Sequence, residues 1–458
     1  MPQLNFRILL FAVFCCFLCS GISIRDRVLI ESLRHIERLA LVEPTEKELF
    51  EGAMHGTFEA LERLGDNYSA YVPFAEQKEY EDNLDNRLEG IGIVFRENPT
   101  SKAVEIIYPM VDSPAWHAGI RAGDRILAVD GKKIDEIPFK EIPQLIKGKL
   151  GTEVVLSILH RTAPEPVDIS IKRMPIQRPS IEGFSLDDSG KRIFALPTEE
   201  ELAYLRITSF SDLTADEVED ALHRILDDKK KGLILDLRGN PGGYIASCVA
   251  TANYFVAPND DYDLVVSTRF RDGSVKGRYR AFKEEKFFDL PMVVLIDGES
   301  ASAAEILSAC LQDYRRATIV GSRSFGKGTV QEIFDLPLQS GKFQLTDASY
   351  WRPSGRNINR AKDAGDSDEW GVSPDPEGLI SVSGEQRIAQ EVIRDRRANI
   401  IASDAGEVIA ELLTRISDEV KSSRSEKKEK SEEPFPLQGT APYYDPQLEK
   451  AIEILKTK

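Results

Sequence analysis

Cysteine is scarce. The chain of 458 residues holds five, and three of them (Cys15, Cys16 and Cys19) crowd together near its start. The other two, Cys248 and Cys310, stand in apolar, helix-like contexts, which predicts buried, unpaired thiols and not a disulfide framework. No Cys-x-x-Cys pair and no Cys/His cluster offers zinc-ligand spacing, and the five histidines are scattered. Positive charge is also short. Lys and Arg number 59 against 76 Asp and Glu, a net charge of −17, the wrong sign for a general nucleic-acid binder. Long apolar runs are missing but for one, which excludes a multispanning membrane protein. That run, Ile8 to Cys19 behind Arg7, falls short of the ~20 residues that span a bilayer but suits the core of a signal peptide. Residues 1–24 are therefore expected to be a signal peptide or membrane anchor. The remainder would then lie outside the cytoplasm, periplasmic or membrane-anchored. With 41% apolar and 29% charged residues, that remainder has an ordinary globular composition, enough for two to four domains.

What is present changes character along the chain. Residues 25–85 read as helices. Leu29, Leu33, Ile36 and Leu39 share a helix face, and Thr45-x-x-Glu48 has capping-box spacing before a second apolar stripe that ends at Gly65. Residues 86–175 read as a β-rich module. GIGIVF (90–95), AVEIIYPM (103–110), VVLSILHR (154–161) and VDISIKR (167–173) are strand-like, with short helices expected over 113–120 and 139–146. Tyr108 and Trp116 are expected in its core or at its rim. Residues 176–395 are expected to form the core, and over 195–395 they alternate strand and helix, the pattern of an α/β fold. LILDL (233–237), MVVLI (292–296) and ATIVG (317–321) each run into a loop rich in small residues. The tail, 396–458, combines a helix near 408–420, a charged low-complexity stretch over 421–434 and a last amphipathic helix over 445–457.

In such a sheet, ligands meet the C-terminal strand ends. Two loops there carry special residues: Arg238-Gly239-Asn240-Pro241-Gly242-Gly243, and Asp297-Gly298-Glu299-Ser300-Ala301-Ser302-Ala303. A serine where a helix begins can act as nucleophile, with the next N–H and a glycine N–H receiving an oxyanion. The competing explanation is a serine N-cap beside a tight turn. A serine nucleophile needs a base, and no histidine pattern or Gly-x-Ser-x-Gly elbow stands near. Lys327, between Gly326 and Gly328, can serve if burial keeps its amine neutral. Gln331, four residues on in an expected strand, would share its face. The stretch from Gly321 fits the spacing of a phosphate-binding loop. It then places Gly328 where a magnesium-binding Ser or Thr belongs, and it leads into a strand.

DGESASAAEILSACLQDYRRATIVGSRSFGKGTVQ (297–331) closely resembles the core of the C-terminal processing peptidases, or tail-specific proteases, which are Ser/Lys endopeptidases with an inserted PDZ domain. The likeness continues in LEGIGIVF (88–95), SPAWHAGIRAGDRILAVDGKKI (113–134), LIKGKLGTEV (145–154), LDLRGNPGG (235–243), YWRPSGRNI (350–358), WGVSPD (370–375) and GDNYSAY (65–71). It implies an α/β multidomain protein: an α/β catalytic core with an inserted PDZ-like, β-rich domain and helical N- and C-terminal segments. It places the nucleophile on Ser302 and not Ser300, the base on Lys327 and an amine-orienting role on Gln331. The oxyanion donors would be the N–H groups of Ala303 and of Gly242 or Gly243, with Asp313 in a supporting place. Gly90, Ile91, Gly92 and Ile93 would form a nest of N–H groups for a substrate's terminal carboxylate, its tail adding as a strand. Glu299 and Lys147 depart from the usual pattern, where a small residue and an arginine are commoner. Neither a metal nor a cofactor is implied. The expected partners are proteins or peptides with free C-terminal tails; an activating adaptor and a homo-oligomer are left open. The rival from another class is a catalytically silent PDZ scaffold.

Overall fold

The computed structural model describes residues 23–98, 101–282, 288–365, 367–406 and 445–457. The candidate leader up to residue 22, the expected helix near 408–420 and the low-complexity stretch lie outside the described residues. The chain divides into two compact units. The smaller holds the described residues up to Gln77 together with Gln331–Thr346; the larger holds Lys78–Val330 and the described residues from Asp347 onward.

In the smaller unit, the helices Ile24–Leu39 and Glu46–Arg63 start where their caps direct. The Thr45 hydroxyl accepts from Glu48 N at 3.2 Å while Thr45 N donates to Glu48 Oε2 at 2.8 Å, the reciprocal pair that the spacing predicted. The helical pattern does not run unbroken to residue 85. A strand, Ala70–Val72, intervenes and pairs antiparallel with Lys342–Gln344. Asp66 organises the approach to it, accepting from Tyr68 N, Ser69 N and the Thr346 hydroxyl.

The larger unit carries a β-rich module and an α/β core. The module is an antiparallel sheet of Ile93–Glu97, Val104–Pro109, Arg125–Val129, Glu153–Leu159 and Val167–Lys172, in that spatial order. Alternation decides its inner face: Val154, Leu156 and Ile158 are wholly buried, while Val155 between them is exposed. The first strand begins three residues later than the GIGIVF pattern predicts, because Gly92 adopts a positive φ of 78°. A Cβ there would sit 2.3 Å from that of Ser113, so only glycine fits. The expected helix over 139–146 divides into a 3₁₀ turn, Phe139–Glu141, and a short α-helix, Ile142–Ile146.

The core is a parallel sheet of Glu199–Ile207, Gly232–Asp236, Met292–Ile296 and Thr318–Gly321. Both faces are covered, which is why these strands read as continuous apolar runs. Leu235, Val294 and Ile296 face the helices Thr214–Asp227, Ile245–Asn253 and Ala303–Asp313; Ile234, Val293 and Leu295 face the C-terminal helix Pro446–Thr457. A hairpin, Leu264–Phe270 with Val275–Arg280, and a helix, Gly384–Asn399, also escape the sequence pattern.

Candidate active site

The strand Met292–Ile296 delivers the chain to the start of the helix Ala303–Asp313 through a six-residue loop, and its two serines have different fates. Ser300 is completely buried. Its hydroxyl donates to Leu237 O at 2.8 Å and accepts from Asp297 N at 3.0 Å, so it ties the two strand-end loops together. Ser302 is the residue before the helix, at φ 53° and ψ −116°. A non-glycine residue in such a conformation is strained, and the surroundings explain how it is held. Ser302 N donates to Glu305 Oε2 at 2.9 Å and Ile306 N donates to Ser302 O at 3.0 Å, with the buried Tyr350 hydroxyl near its side chain.

Glu305 also builds the next part. Lys327 N donates to the same Oε2 at 2.8 Å, while Gly326 N and the Ser324 hydroxyl reach Oε1 at 2.7 and 2.5 Å. One buried carboxylate thus links the backbones of Ser302 and Lys327, 25 residues apart in sequence. Burial pushes the Glu305 carboxyl up to about 7, against the pull of these four donors. Burial lowers the Lys327 amine, and the neighbouring Glu305 charge opposes that shift. Lys327 precedes the strand Thr329–Asp335 instead of lying in it, so the shared-face expectation for Lys327 and Gln331 does not apply. The glycines beside it admit close neighbours. A Cβ on Gly326 would meet Trp370, and one on Gly328 would meet Asn359 N at 2.0 Å. Gln331 opens the second segment of the smaller unit, where its Nε2 donates to Thr346 Oγ1 at 3.2 Å, itself bound to Asp66.

The glycine loop follows the strand Gly232–Asp236. Gly239 N donates to Asp297 Oδ1 at 2.9 Å, and Asn240 O accepts from Ala301 N at 2.9 Å. Gly242 lies against the nucleophile loop: a Cβ there would be 2.7 Å from the Cβ of Ser302 and 2.9 Å from Ala303 N. Its own N–H is taken by Asn240 Oδ1 at 2.8 Å. Gly242 O and Tyr244 N both bond Phe210. Gly243, between them, therefore turns its N–H to the opposite side. Asp313 lies further along the helix, gripped by Arg352 Nε at 3.0 Å and accepting from Ser354 N at 2.9 Å. It fixes the turn after the Tyr350 strand. Glu299 pairs with Arg387.

In the β-rich module, Ile91 and Gly92 are pinned through their carbonyls by Ala115 N and Met110 N. A cavity of about 820 Å³ runs from the first strand of the module and Phe139 to the core, lined there by Arg206 and Asp395 among others. Sequence reasoning missed two residues of the site. The Ser302-x-x-Glu305 spacing was the available signal for Glu305; Tyr350 had none beyond the YWRPSG motif.

Residues 201–377 match the model of peptidase family S41, and residues 105–159 match that of the PDZ domain. The chain is 34% identical over 320 residues to a carboxy-terminal-processing protease of Bartonella bacilliformis, covering 69% of this chain and 68% of that one. It is likewise 34% identical over 313 residues to the carboxy-terminal processing protease CtpA of Bacillus subtilis, covering 68% of this chain and 62% of the relative. Among solved structures, the photosystem II D1 C-terminal processing protease aligns over 79% of this chain and 94% of its own, at 22% identity and a TM-score of 0.43.

Proposed function

Because the chain belongs to peptidase family S41, among the carboxy-terminal processing proteases, and is thus a serine-type peptidase with a PDZ domain, we propose that it cleaves protein chains with Ser302 as nucleophile and Lys327 as base. The observation that carries this assignment is the shared carboxylate oxygen of Glu305. It binds Ser302 N and Lys327 N together, beside a glycine loop that presents an N–H group. In its neutral form the Lys327 amine takes the Ser302 proton as Oγ attacks the scissile carbonyl. The oxyanion is received by Ala303 N–H, at the helix start, and by Gly243 N–H. Gly243 is preferred to Gly242 because the latter's N–H already serves Asn240. Lys327 then protonates the departing amine, and a water molecule, losing its proton to Lys327, releases the acyl group. The amine-orienting role of Gln331 rests on the family resemblance alone. Substrate tails would enter at Gly90–Ile93, with the terminal carboxylate on the N–H nest and the tail beside the strand Ile93–Glu97. Export rests on the run Ile8 to Cys19.

The test is incubation of residues 25–458 with an unfolded protein beside a Ser302→Ala control. Cleavage lost in Ser302→Ala but kept in Ser300→Ala supports the assignment. Equal cleavage by Ser302→Ala overturns it, and tail binding without cleavage by the wild type favours the scaffold.

A further inference from the structure

Arg238 stands where the strand Gly232–Asp236 gives way to the glycine loop, and all of its side-chain nitrogens are engaged. Nε lies 3.0 and 3.1 Å from the two oxygens of Asp236, and Nη2 lies 2.6 Å from Oδ2. Nη1 points the other way. It donates to Asp445 Oδ1 at 2.9 Å and to Gln447 Oε1 at 3.0 Å. These two acceptors belong to the start of the C-terminal helix, 207 and 209 residues further along the chain. Asp445 is also that helix's cap, accepting from Leu448 N through Oδ1 and from Glu449 N through its carbonyl.

The junction is buried and electrically balanced. The side chains of Arg238, Asp236 and Asp445 are at most 2% exposed. Burial works against both carboxylates, yet Arg238 and the buried Arg394 hold both below the ordinary carboxylate range. Charge-assisted bonds of this kind are directional as well as strong. Leu448, Ala451 and Leu455 press the helix onto the sheet, while Asp445 and Gln447 fix its register against one guanidinium. From Arg238 the restraint passes directly into the loop. Arg238 N bonds Asp236 Oδ1, and the next residue, Gly239, bonds Asp297. Gly243 is five residues from Arg238. The match to the peptidase family ends at residue 377, so nothing in it covers this helix.

We propose that Asp445 and Gln447 are positioning residues for catalysis: by holding Arg238 they set the backbone from Gly239 to Gly243, and with it the oxyanion-binding N–H. The inference rests on the serine-peptidase assignment above. Loss of the Asp445 charge or of the Gln447 acceptor weakens the hold on Arg238 Nη1 in a dry site, and the guanidinium must shift, carrying the loop. A displacement of about 1 Å at such a donor lowers turnover by about a hundredfold; a partial loss through one acceptor would give about tenfold.

The experiment uses the protein of residues 25–458 with Asp445→Asn, Gln447→Ala and, as control, Leu455→Ala. The control weakens helix docking without touching Arg238. Turnover and KM for a short unstructured peptide are measured with thermal stability and with hydrogen exchange of the amides from Gly239 to Tyr244. The expected result for Asp445→Asn and Gln447→Ala is kcat down about ten- to a hundredfold, KM near wild type and faster loop exchange. Leu455→Ala should melt earlier but keep kcat and loop exchange well below its melting temperature. Should Asp445→Asn fail to fold, Gln447→Ala decides alone. Wild-type kcat and loop exchange in Gln447→Ala, or equal losses in Leu455→Ala, overturn the proposal. A Ser302→Ala protein that still cleaves would sink the peptidase assignment and the catalytic role with it. Loop exchange would then still report separately whether the clamp holds Gly239–Tyr244.

Discussion

At Ser302 the cost of the site is visible in the backbone. Its φ of 53° is a conformation that glycine adopts freely and other residues hold under about 1–3 kcal/mol of strain. Both Ser302→Ala and Ser302→Gly should be inactive, but thermal melting should find the glycine variant more stable by about 1–2 kcal/mol; an equal or lower melting temperature would show that the site is unstrained. Lys327 and Glu305 make a pH experiment decisive. The base works only when neutral, so cleavage should rise with pH through the lowered pKa of Lys327. Lys327→Arg should be inactive at every usable pH, because a guanidinium keeps its proton. Glu305 favours the charged amine, so Glu305→Gln should move the rising limb to lower pH while reducing kcat, since an amide cannot accept four hydrogen bonds as a carboxylate does. A limb moved upward would refute the coupling. Stability should respond as well. The Glu305 carboxyl is raised to about 7 in the folded chain. The folded state therefore holds a proton that the unfolded chain releases near 4.5, and stability should fall as pH rises from about 4.5 to about 7. Melting temperatures of Glu305→Gln across that window should slope less than those of wild type.

Elements held by apolar periodicity were legible in the sequence, and elements held by polar bonds were not. GLILD, MVVLI and TIVG announce buried parallel strands because both faces are covered. The helix Gly384–Asn399 has no such stripe. Its anchors are hydrogen bonds: Asp395 to Tyr108, Arg397 to Phe184 O and Asn399 to Glu182. The hairpin after Leu264 is hidden for a related reason, since its second strand, VKGRYR, is charged and largely exposed. The same division runs through the site. Two glycine- and serine-rich loops at strand ends point to a ligand. Glu305, in the first turn of a helix, reads from sequence as ordinary compensation of the helix dipole. Asp445 sits beyond a low-complexity stretch, with nothing to connect it to Arg238. The glycine loop can be probed as an element. Gly242→Ala would place a methyl 2.7 Å from Ser302 Cβ at a φ of +102°, which should lower kcat about a hundredfold or more. Gly239→Ala, also at a positive φ of 69° but with its methyl meeting only Arg206 Nη2 at 3.7 Å, should be milder. Equal losses in the two variants, measured with a short peptide, would mean that contact with the nucleophile loop is not what matters.

Across the whole chain, the β-rich module is spliced into the core through a single neck. Arg87–Gly90 and Met174–Gln177 pair antiparallel, with Gly90 opposite Met174. Residues 91–173 can therefore be replaced by a two-residue Asn-Gly turn that keeps the neck hydrogen bonds. The module also rests on the core. The Tyr108 hydroxyl donates to Asp395 Oδ1 at 2.8 Å, and Tyr108 and Ala122 share an apolar cluster with Ile400. Excision uncovers Ile400, which should cost about 2 kcal/mol of stability, and takes the Tyr108 hydroxyl from Asp395. The chemistry should survive, because Ser302, Lys327, Glu305 and the glycine loop all lie outside the excised span. The excised protein should still cleave a short unstructured peptide, in a reaction abolished by Ser302→Ala. What should disappear is discrimination between a substrate with a free C-terminal carboxylate and the same chain amidated, because the Gly90–Ile93 nest has gone. The comparison is kcat/KM for the two forms of one peptide, with the intact and the excised protein. A folded excised protein that cannot cleave either form would mean that the module completes the catalytic site. Unchanged discrimination would mean that the tail is recognised elsewhere.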